Sequence, residues 1–396
     1  MLFSALLFCS IMRFYFCLCN GKNCHVPYNR SMDKEIQRCL LFNDLVRICK
    51  SSKCPKAFAQ SLILCAHTKP SNFKIDTVFP DSFSDGIFEK IQTKPIEKFA
   101  ELKKKIRSKL SEALSILKDM KGGNVGFEIT TEKRENNVVL FCNSQHDVTF
   151  TRHAYNRVYG IWKFHNPKNN KHTFDEQLWQ AGYRYKYLGM FSGMSASIPP
   201  KTLKDIHSIV PSATECFASF FNHTIYTNGY YGLFYDIEKS FGCKGNFFAV
   251  KKVPEMIICN PPFEKCVLNC FVKHVLKLHK LQKFHTLAVI PAFAIEDRIK
   301  LNLVCTKYRS HEPYKTDYKT DVLYEDLKVH ENIEYCGLFC KDSFPYIDMF
   351  TNKTTFYTST LVSYISNSND TRIKNKIFRY LNGSKFPKED ISFTNL

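Results

Sequence analysis

The chain has 396 residues, 44% of them hydrophobic, and a formal charge of +19 from 56 basic and 37 acidic side chains. That length allows two domains or one large one. A mean hydropathy of −0.26, with no run of about 20 apolar residues after the first 20, argues against a membrane-spanning body. The positive balance points to a polyanionic partner, nucleic acid ahead of an anionic membrane surface.

The first stretch, MLFSALLFCSIMRFYFCLCNGK, is an apolar leader resembling a signal peptide or anchor, but Arg13 interrupts it and no basic region precedes it. A misassigned start or an apolar element of the fold is the alternative, and secretion is not expected. Seventeen cysteines follow no framework: the number is odd, and no Cys-x-x-Cys pair occurs. Cys266 and Cys270 are trailed by His274, His279 and His285 in a pattern that lacks paired zinc-ligand spacing. The cysteines read as buried free thiols in a reducing compartment, and no metal is expected.

Residues 30–66 have helical spacing, with Leu40, Leu41, Leu45, Ile48, Leu62, Ile63 and Leu64 facing a core. After a Pro/Ser-rich stretch, Ile96, Phe99, Leu102, Ile106, Leu110, Leu114 and Leu117 predict a helix over 95–120. Pro95 opens it and Gly122-Gly123 closes it. Its outer side carries Lys103, Lys104, Lys105, Arg107 and Lys109, which reads either as a solvated face or as an RNA-backbone contact. A hairpin follows, 125–130 against 137–143, and then helices near 152–163 and 175–190. The only tryptophans, Trp162 and Trp179, stand 17 positions apart in a helical setting, so no WW module is expected.

From about residue 200 helices and strands alternate. A short helix covers 201–209, TECFASF and EMIIC are strand candidates, and 264–280 is an amphipathic helix. FHTLAVIPAF is a buried strand, and 355–366 reads as a late one. This rhythm predicts a parallel sheet with ligands at the strands' carboxyl ends. Residues 305–350 read as an insert, and the last thirty as a helix with a loose tail.

The strand EMIIC ends in Asn260-Pro261-Pro262-Phe263. Neither proline can donate to a ladder, so the strand must stop there. Such a stretch suits methylation of an exocyclic ring amine, a planar and poor nucleophile. The Asn260 oxygen and the Pro261 carbonyl can accept its two N–H bonds, and prolines hold that carbonyl still. Phe263 can stack on the base. An ordinary turn with a core phenylalanine is the bland alternative. The pattern is shared by S-adenosylmethionine-dependent methyltransferases acting on adenine, cytosine or glutamine nitrogen, so it names the reaction but leaves the substrate open.

ECFASFFN (215–222) and DIEKSFGCKGNFF (236–248), in order before Asn-Pro-Pro-Phe, resemble segments of the phosphorylated-CTD-interacting-factor family, the cap-specific adenosine N6-methyltransferases. KTLKDIHSIV and LWQAGYRYKYLGMF are similar to its helices. The resemblance covers roughly 175–300. It implies an α/β, Rossmann-like S-adenosylmethionine-dependent methyltransferase domain preceded by a mainly helical domain. The boundaries are an apolar leader over 1–24, a helical domain with a hairpin over 25–195, the methyltransferase domain over 196–366, and a polar helix and tail over 367–396.

By the same resemblance Asn260, Pro261, Pro262 and Phe263 carry catalysis. Phe217, Ala218, Ser219 and Asn222, with Asn260 and Phe263, contact S-adenosylmethionine. Substrate contacts fall to Arg152, Glu264, Lys265 and Phe293; Arg152, like Arg157, is chosen on charge and position alone. The implied substrate is the 2′-O-methyladenosine beside the m7G cap of mRNA, held over a basic surface. No WW-mediated contact with the RNA polymerase II tail is expected. Location is nuclear by resemblance, or cytoplasmic in a viral or parasite version. Two departures stand out: Pro291-Ala-Phe293-Ala-Ile-Glu296 replaces a Pro-x-Trp-Arg-Glu segment, and Lys265 stands where an acid is expected. An adenine methyltransferase on another RNA or DNA, or a silent RNA- or cap-binding relative, remains open.

Overall fold

Side chains alternate along buried strands, and here that alternation builds a three-layer α/β/α arrangement. The computed structural model describes residues 30–52, 54, 57–74, 76–91, 99–120, 129–143, 146–169, 171–191, 196–291, 332–339, 344–355 and 360–383. The apolar leader, Gly122-Gly123, Phe293 and most of the 305–350 insert lie outside them.

The first half contains α1 (Arg30–Ser51), α2 (Ala57–Ala66), α3 (Asp85–Ile91) and α4 (Phe99–Asp119). In α4, Leu102, Ile106, Leu110, Ala113, Leu114 and Leu117 form the buried stripe that the spacing foretold. The expected hairpin is a three-stranded antiparallel meander, β1 (Ile129–Lys133), β2 (Asn137–Cys142) and β3 (His146–Thr151); residues 125–128 lie outside the described ones, β1 runs into the expected turn at 131–136, and the third strand was not foreseen. Two helices follow, α5 (Arg152–His165) and α6 (Lys171–Tyr187). The Thr151 side chain caps α5 by accepting from the Ala154 N–H.

The second half runs β4 (Ala196–Ser197), α7 (Pro200–Ile209), β5 (Thr214–Cys216), β6 (Tyr230–Tyr231), α8 (Tyr235–Glu238), β7 (Met256–Cys259), α9 (Lys265–Leu281) and β8 (His285–Pro291). It continues with β9 (Ile333–Phe339), β10 (Tyr346–Asp348), β11 (Lys353–Thr355), β12 (Thr360–Ser366) and α10 (Thr371–Asn382). The main sheet has the order β6-β5-β7-β8-β12-β9. Strands β6, β5, β7 and β8 are mutually parallel, while β12 runs antiparallel between β8 and β9. Strands β7, β8 and β12 are buried along their whole length, as strands covered on both faces must be.

Ile257, Cys259, Ala288, Ile290, Leu361 and Ile365 point toward α9, where Phe271, Val272 and Val275 meet them. Their neighbours Met256, Ile258, Leu287, Val289, Val362 and Tyr364 point the other way, toward Leu203 and Ile206 of α7 and Ile377 and Leu381 of α10. A further cluster runs from Leu41 through the meander to Phe220, Phe234 and Val267, so one core joins the helical half to the sheet. Free thiols are buried in every layer, among them Cys49, Cys65, Cys142, Cys216, Cys259 and Cys266. No helix among the described residues is long and apolar enough to cross a membrane.

Candidate active site at the ends of β5 and β7

Chain order in the sheet reverses at β5: β6 lies on one side of it and β7 on the other. Ligands in open α/β sheets gather at the carboxyl ends of the strands flanking such a point. In register, Cys216 of β5 sits beside Cys259 of β7, so the chain leaves the two strands side by side. The two stretches singled out in the sequence therefore meet, and the Asn260 N–H reaches the Cys216 carbonyl at 3.5 Å.

Two clefts open at this junction. The smaller, about 260 Å³ counting space open to solvent, is lined by Ser197, Leu203, Glu215, Cys216, Asn222 and Asn260 among others. The larger, about 390 Å³, is lined by Tyr185, Ser219, Tyr231, Gly232, Phe247, Phe248 and Pro262, and its dominant character is aromatic. Phe217 and Ala218 form the ridge between the two.

Asn260 carries the most telling detail. Its Oδ1 is buried yet has no hydrogen-bond partner. Nearly all buried polar atoms in folded proteins are paired, so an orphan at a strand end calls for a ligand. Pro261 is buried, and the Pro262 carbonyl accepts from the Glu264 N–H at 2.7 Å, closing a tight turn before α9. Phe263 is half-buried and meets Tyr346 edge to face, 5.9 Å between centroids. Phe217 has φ +66°, a left-handed conformation that a bulky residue rarely adopts. Such strain concentrates at functional sites, and nothing in the sequence signalled it.

The remaining expected residues fall as follows. Ser219 lines the larger cleft, and its N–H and hydroxyl donate to Asn222 Oδ1 at 2.7 and 3.1 Å. The Asn222 amide also donates to the Ala196 carbonyl at 3.1 Å, so both ends of that side chain shape the turn after β5. Glu264 accepts from Ser61 Oγ at 2.7 Å, tying the start of α9 to α2. Arg152 is exposed at the start of α5, donates to the Arg134 carbonyl at 2.9 Å, and lines neither cleft. The Lys265 side chain and all of Phe293 lie outside the described residues.

Arg157 donates to the backbone oxygens of His223 at 3.1 Å, Met349 at 3.3 Å and Phe221. Burial lowers its pKa to about 10, the mark of a guanidinium bracing the loop after β5. In α4, Lys103 and Arg107 pair with Asp85, Lys105 with Glu101, and Lys109 with Asp44 and Glu112. That favours the solvated-face reading of the basic run.

Several residues around the clefts escaped the sequence reading. Tyr185 reaches the larger cleft from α6, a helix of the other half, and no local pattern announces such a contact. Glu238 is wholly buried, and its carboxyl accepts from Phe220 N–H, Phe234 N–H and Tyr185 OH at 3.1, 3.0 and 3.1 Å. Burial raises its pKa to about 7 against the pull of those hydrogen bonds. Asp236 behaves oppositely: burial favours its neutral form, but the Arg184 guanidinium at 2.7 Å holds it well below the usual carboxylate range.

S-adenosylmethionine fits this junction on two observations. Asn260, whose Oδ1 has no partner, lines the smaller cleft, and the larger is walled by Tyr185, Tyr231, Phe247 and Phe248, rings on which a nucleoside base can stack.

Comparison with known proteins bears on the same region. A family model described as "Phosphorylated CTD interacting factor 1 WW domain" matches residues 155–322. The chain is 24% identical over 225 residues to the "mRNA (2'-O-methyladenosine-N(6)-)-methyltransferase" of Mus musculus, which covers 48% of this chain and 31% of that relative. The chain thus spans about a third of that relative's length. The family match overturns the expectation that there is no WW module, and with it the expectation of no WW-mediated contact with the polymerase tail. That expectation rested on the 17-residue tryptophan spacing and sought a short three-stranded unit. The matched segment is long, and its tryptophans are buried on α5 and α6, with Trp162 Nε1 donating to Gln177 Oε1 at 2.7 Å and Trp179 Nε1 to the His146 carbonyl at 2.8 Å. Both findings support a mixed α/β protein similar to the phosphorylated-CTD-interacting-factor family and to an mRNA methyltransferase.

Proposed function

We propose that the chain is a Rossmann-like S-adenosylmethionine-dependent RNA methyltransferase that modifies adenine N6, with the 2′-O-methyladenosine beside an m7G cap as substrate. The buried, unpartnered Asn260 Oδ1 at the end of β7 is the observation that carries this reading. S-adenosylmethionine, when bound, supplies an electrophilic methyl group. The larger, aromatic cleft takes that cofactor, held by Phe217, Ala218, Ser219 and Gly232. The adenine amine then lies at the junction, where Asn260 Oδ1 and the Pro261 carbonyl accept its two N–H bonds. Both acceptors are fixed before reaction, so they favour a pyramidal nitrogen without reorganising. The proton leaves after the nitrogen has been alkylated and become acidic, so no early general base is required.

The supporting likeness to the mouse enzyme extends over 48% of this chain. The cap claim is the more exposed one, because Phe293 stands where the resemblance calls for tryptophan. That departure favours a second reading, adenine methylation in uncapped RNA or DNA. Tritiated methyl transfer to capped RNA beginning with 2′-O-methyladenosine, to uncapped RNA and to DNA decides between them. Transfer to the capped RNA alone is expected. Transfer only to the others sinks the cap claim, and none to any, with RNA still bound, marks a silent relative.

A further inference from the structure

Among the segments that wall the larger cleft are the turn after β5, the turn after β6, and α6, with residues 246–248 and Pro262 completing it. The loop over 217–229 that connects the parallel strands β5 and β6 carries no helix, so no crossover helix packs these turns into place. Besides the pairing of β5 with β6, one side chain reaches all three. Glu238 Oε1 accepts from the Phe220 N–H at 3.1 Å, Tyr185 OH at 3.1 Å and Tyr230 OH at 3.4 Å. Its Oε2 accepts from the Phe234 N–H at 3.0 Å. Each donor lies in, or next to, a segment that lines the cleft. Gly232 keeps the approach open, since a Cβ there would meet Glu238 Oε2, Tyr230 Cε2 and the Ala218 carbonyl within 2.8–3.1 Å.

We propose that Glu238 is a positioning residue for the methyl-donor cleft, its single carboxyl bridging the turns after β5 and β6 and the Tyr185 hydroxyl of α6 so that the three walls hold one spacing. The role of the cleft rests on the function proposed above. A carboxyl suits the task because all four neighbours are donors and its two oxygens between them accept from all four. Glutamine keeps the shape but turns one oxygen into a donor, so one wall loses its tie. Gly232→Ala reaches the same end without touching the carboxyl, by crowding Oε2 out of its seat.

The test combines amide hydrogen exchange with calorimetric binding of S-adenosylhomocysteine, on the full chain and on Glu238→Gln and Gly232→Ala. In both variants faster exchange confined to 217–222 and 232–234 is expected. The dissociation constant for S-adenosylhomocysteine should rise about tenfold or more while affinity for RNA stays within about twofold. In turnover the KM for S-adenosylmethionine should rise more than kcat falls, whereas a loss of folded protein would lower kcat alone. Wild-type binding with unchanged affinity in both variants overturns the positioning role and leaves the methyl-donor reading standing. If the wild type takes up no S-adenosylhomocysteine, that reading falls and the positioning role falls with it. Exchange that rises across the whole chain in both variants also overturns the proposal, since it marks a purely structural glutamate.

Discussion

Asn260 is half-buried, yet its Oδ1 is shielded from solvent and has no hydrogen-bond partner. A structural asparagine stabilises through its bonds, so Asn260→Ala should cost little or even raise the melting temperature, because it removes a desolvated acceptor. Methyl transfer should fall by about 10²–10³, the usual effect of deleting one fixed dipole at a reacting centre. A melting temperature several degrees lower, with transfer intact, would make Asn260 a packing residue. Glu238 supplies the pH-dependent counterpart. Its folded pKa of about 7 lies above the ordinary glutamate value, so its stabilising contribution is full below about 4.3 and is lost as pH rises through about 7. Tyr185 and Arg184 of α6, Tyr230 of β6 and Cys243 are the titratable or charged groups that face it. The melting-temperature gap between wild type and Glu238→Gln should therefore be wider at pH 5 than at pH 8, and a gap that widens with pH would contradict this.

At the scale of elements, α1, α6 and α8 meet through buried charge. Arg184 of α6 reaches Glu35 of α1 and Asp236 of α8, while Arg38 binds both Glu35 and Asp76. Replacing Arg184 by methionine leaves Glu35 with Arg38 as its remaining cation and the exposed Asp236 to solvent, and should cost about 1–3 kcal/mol in urea denaturation. A loss below about 1 kcal/mol would show that the network relaxes around the gap. Such tertiary pairing was invisible in the sequence, since its members lie up to about 200 positions apart. Local pattern was a better guide where one face decides the element: α4, α5, α7 and α9 lie close to their expected spans, as do β7 and β8. It failed where the element is short or edge-bound. TECFASF contributes only Thr214–Cys216 as strand, because Phe217 turns left-handed to open the cleft. Strand β3 was missed since HDVTFT carries only Val148 and Phe150 as buried apolar positions. Within the site, the Asn-Pro-Pro-Phe turn was legible because proline forbids continuation, whereas Tyr185 and Glu238 act through contacts no window contains.

On the scale of the whole molecule, one apolar cluster crosses from the helical half into the sheet half, running from Leu41 to Val267. Cutting the chain near 195 would expose both sides of it. Residues 196–396 expressed alone should show no cooperative thermal transition, and a sharp transition in that fragment would show that the sheet half is self-sufficient. The same continuity places the larger cleft against the helical half, with Tyr185 in its wall and Ser61 fastened to Glu264 beside the Asn-Pro-Pro-Phe turn. The clefts and the packed core are thus parts of one structure.

The buried thiols give this molecule a built-in set of reporters. Each can react with an alkylating reagent only when its own neighbourhood opens, so the labelling rates rank the layers by the free energy of local opening. Burial raises the pKa of Cys49 to about 12 and puts that of Cys216 well above the ordinary thiol value, so little thiolate forms until a segment unfolds. Cys216 lines the smaller cleft and lies beside Cys259 in register, whereas Cys49 of α1 lines neither cleft. A methyl-donor analogue should slow labelling at Cys216 and Cys259 and leave Cys49 unchanged, mapping occupancy of the cleft onto two sulfur atoms without any engineered probe.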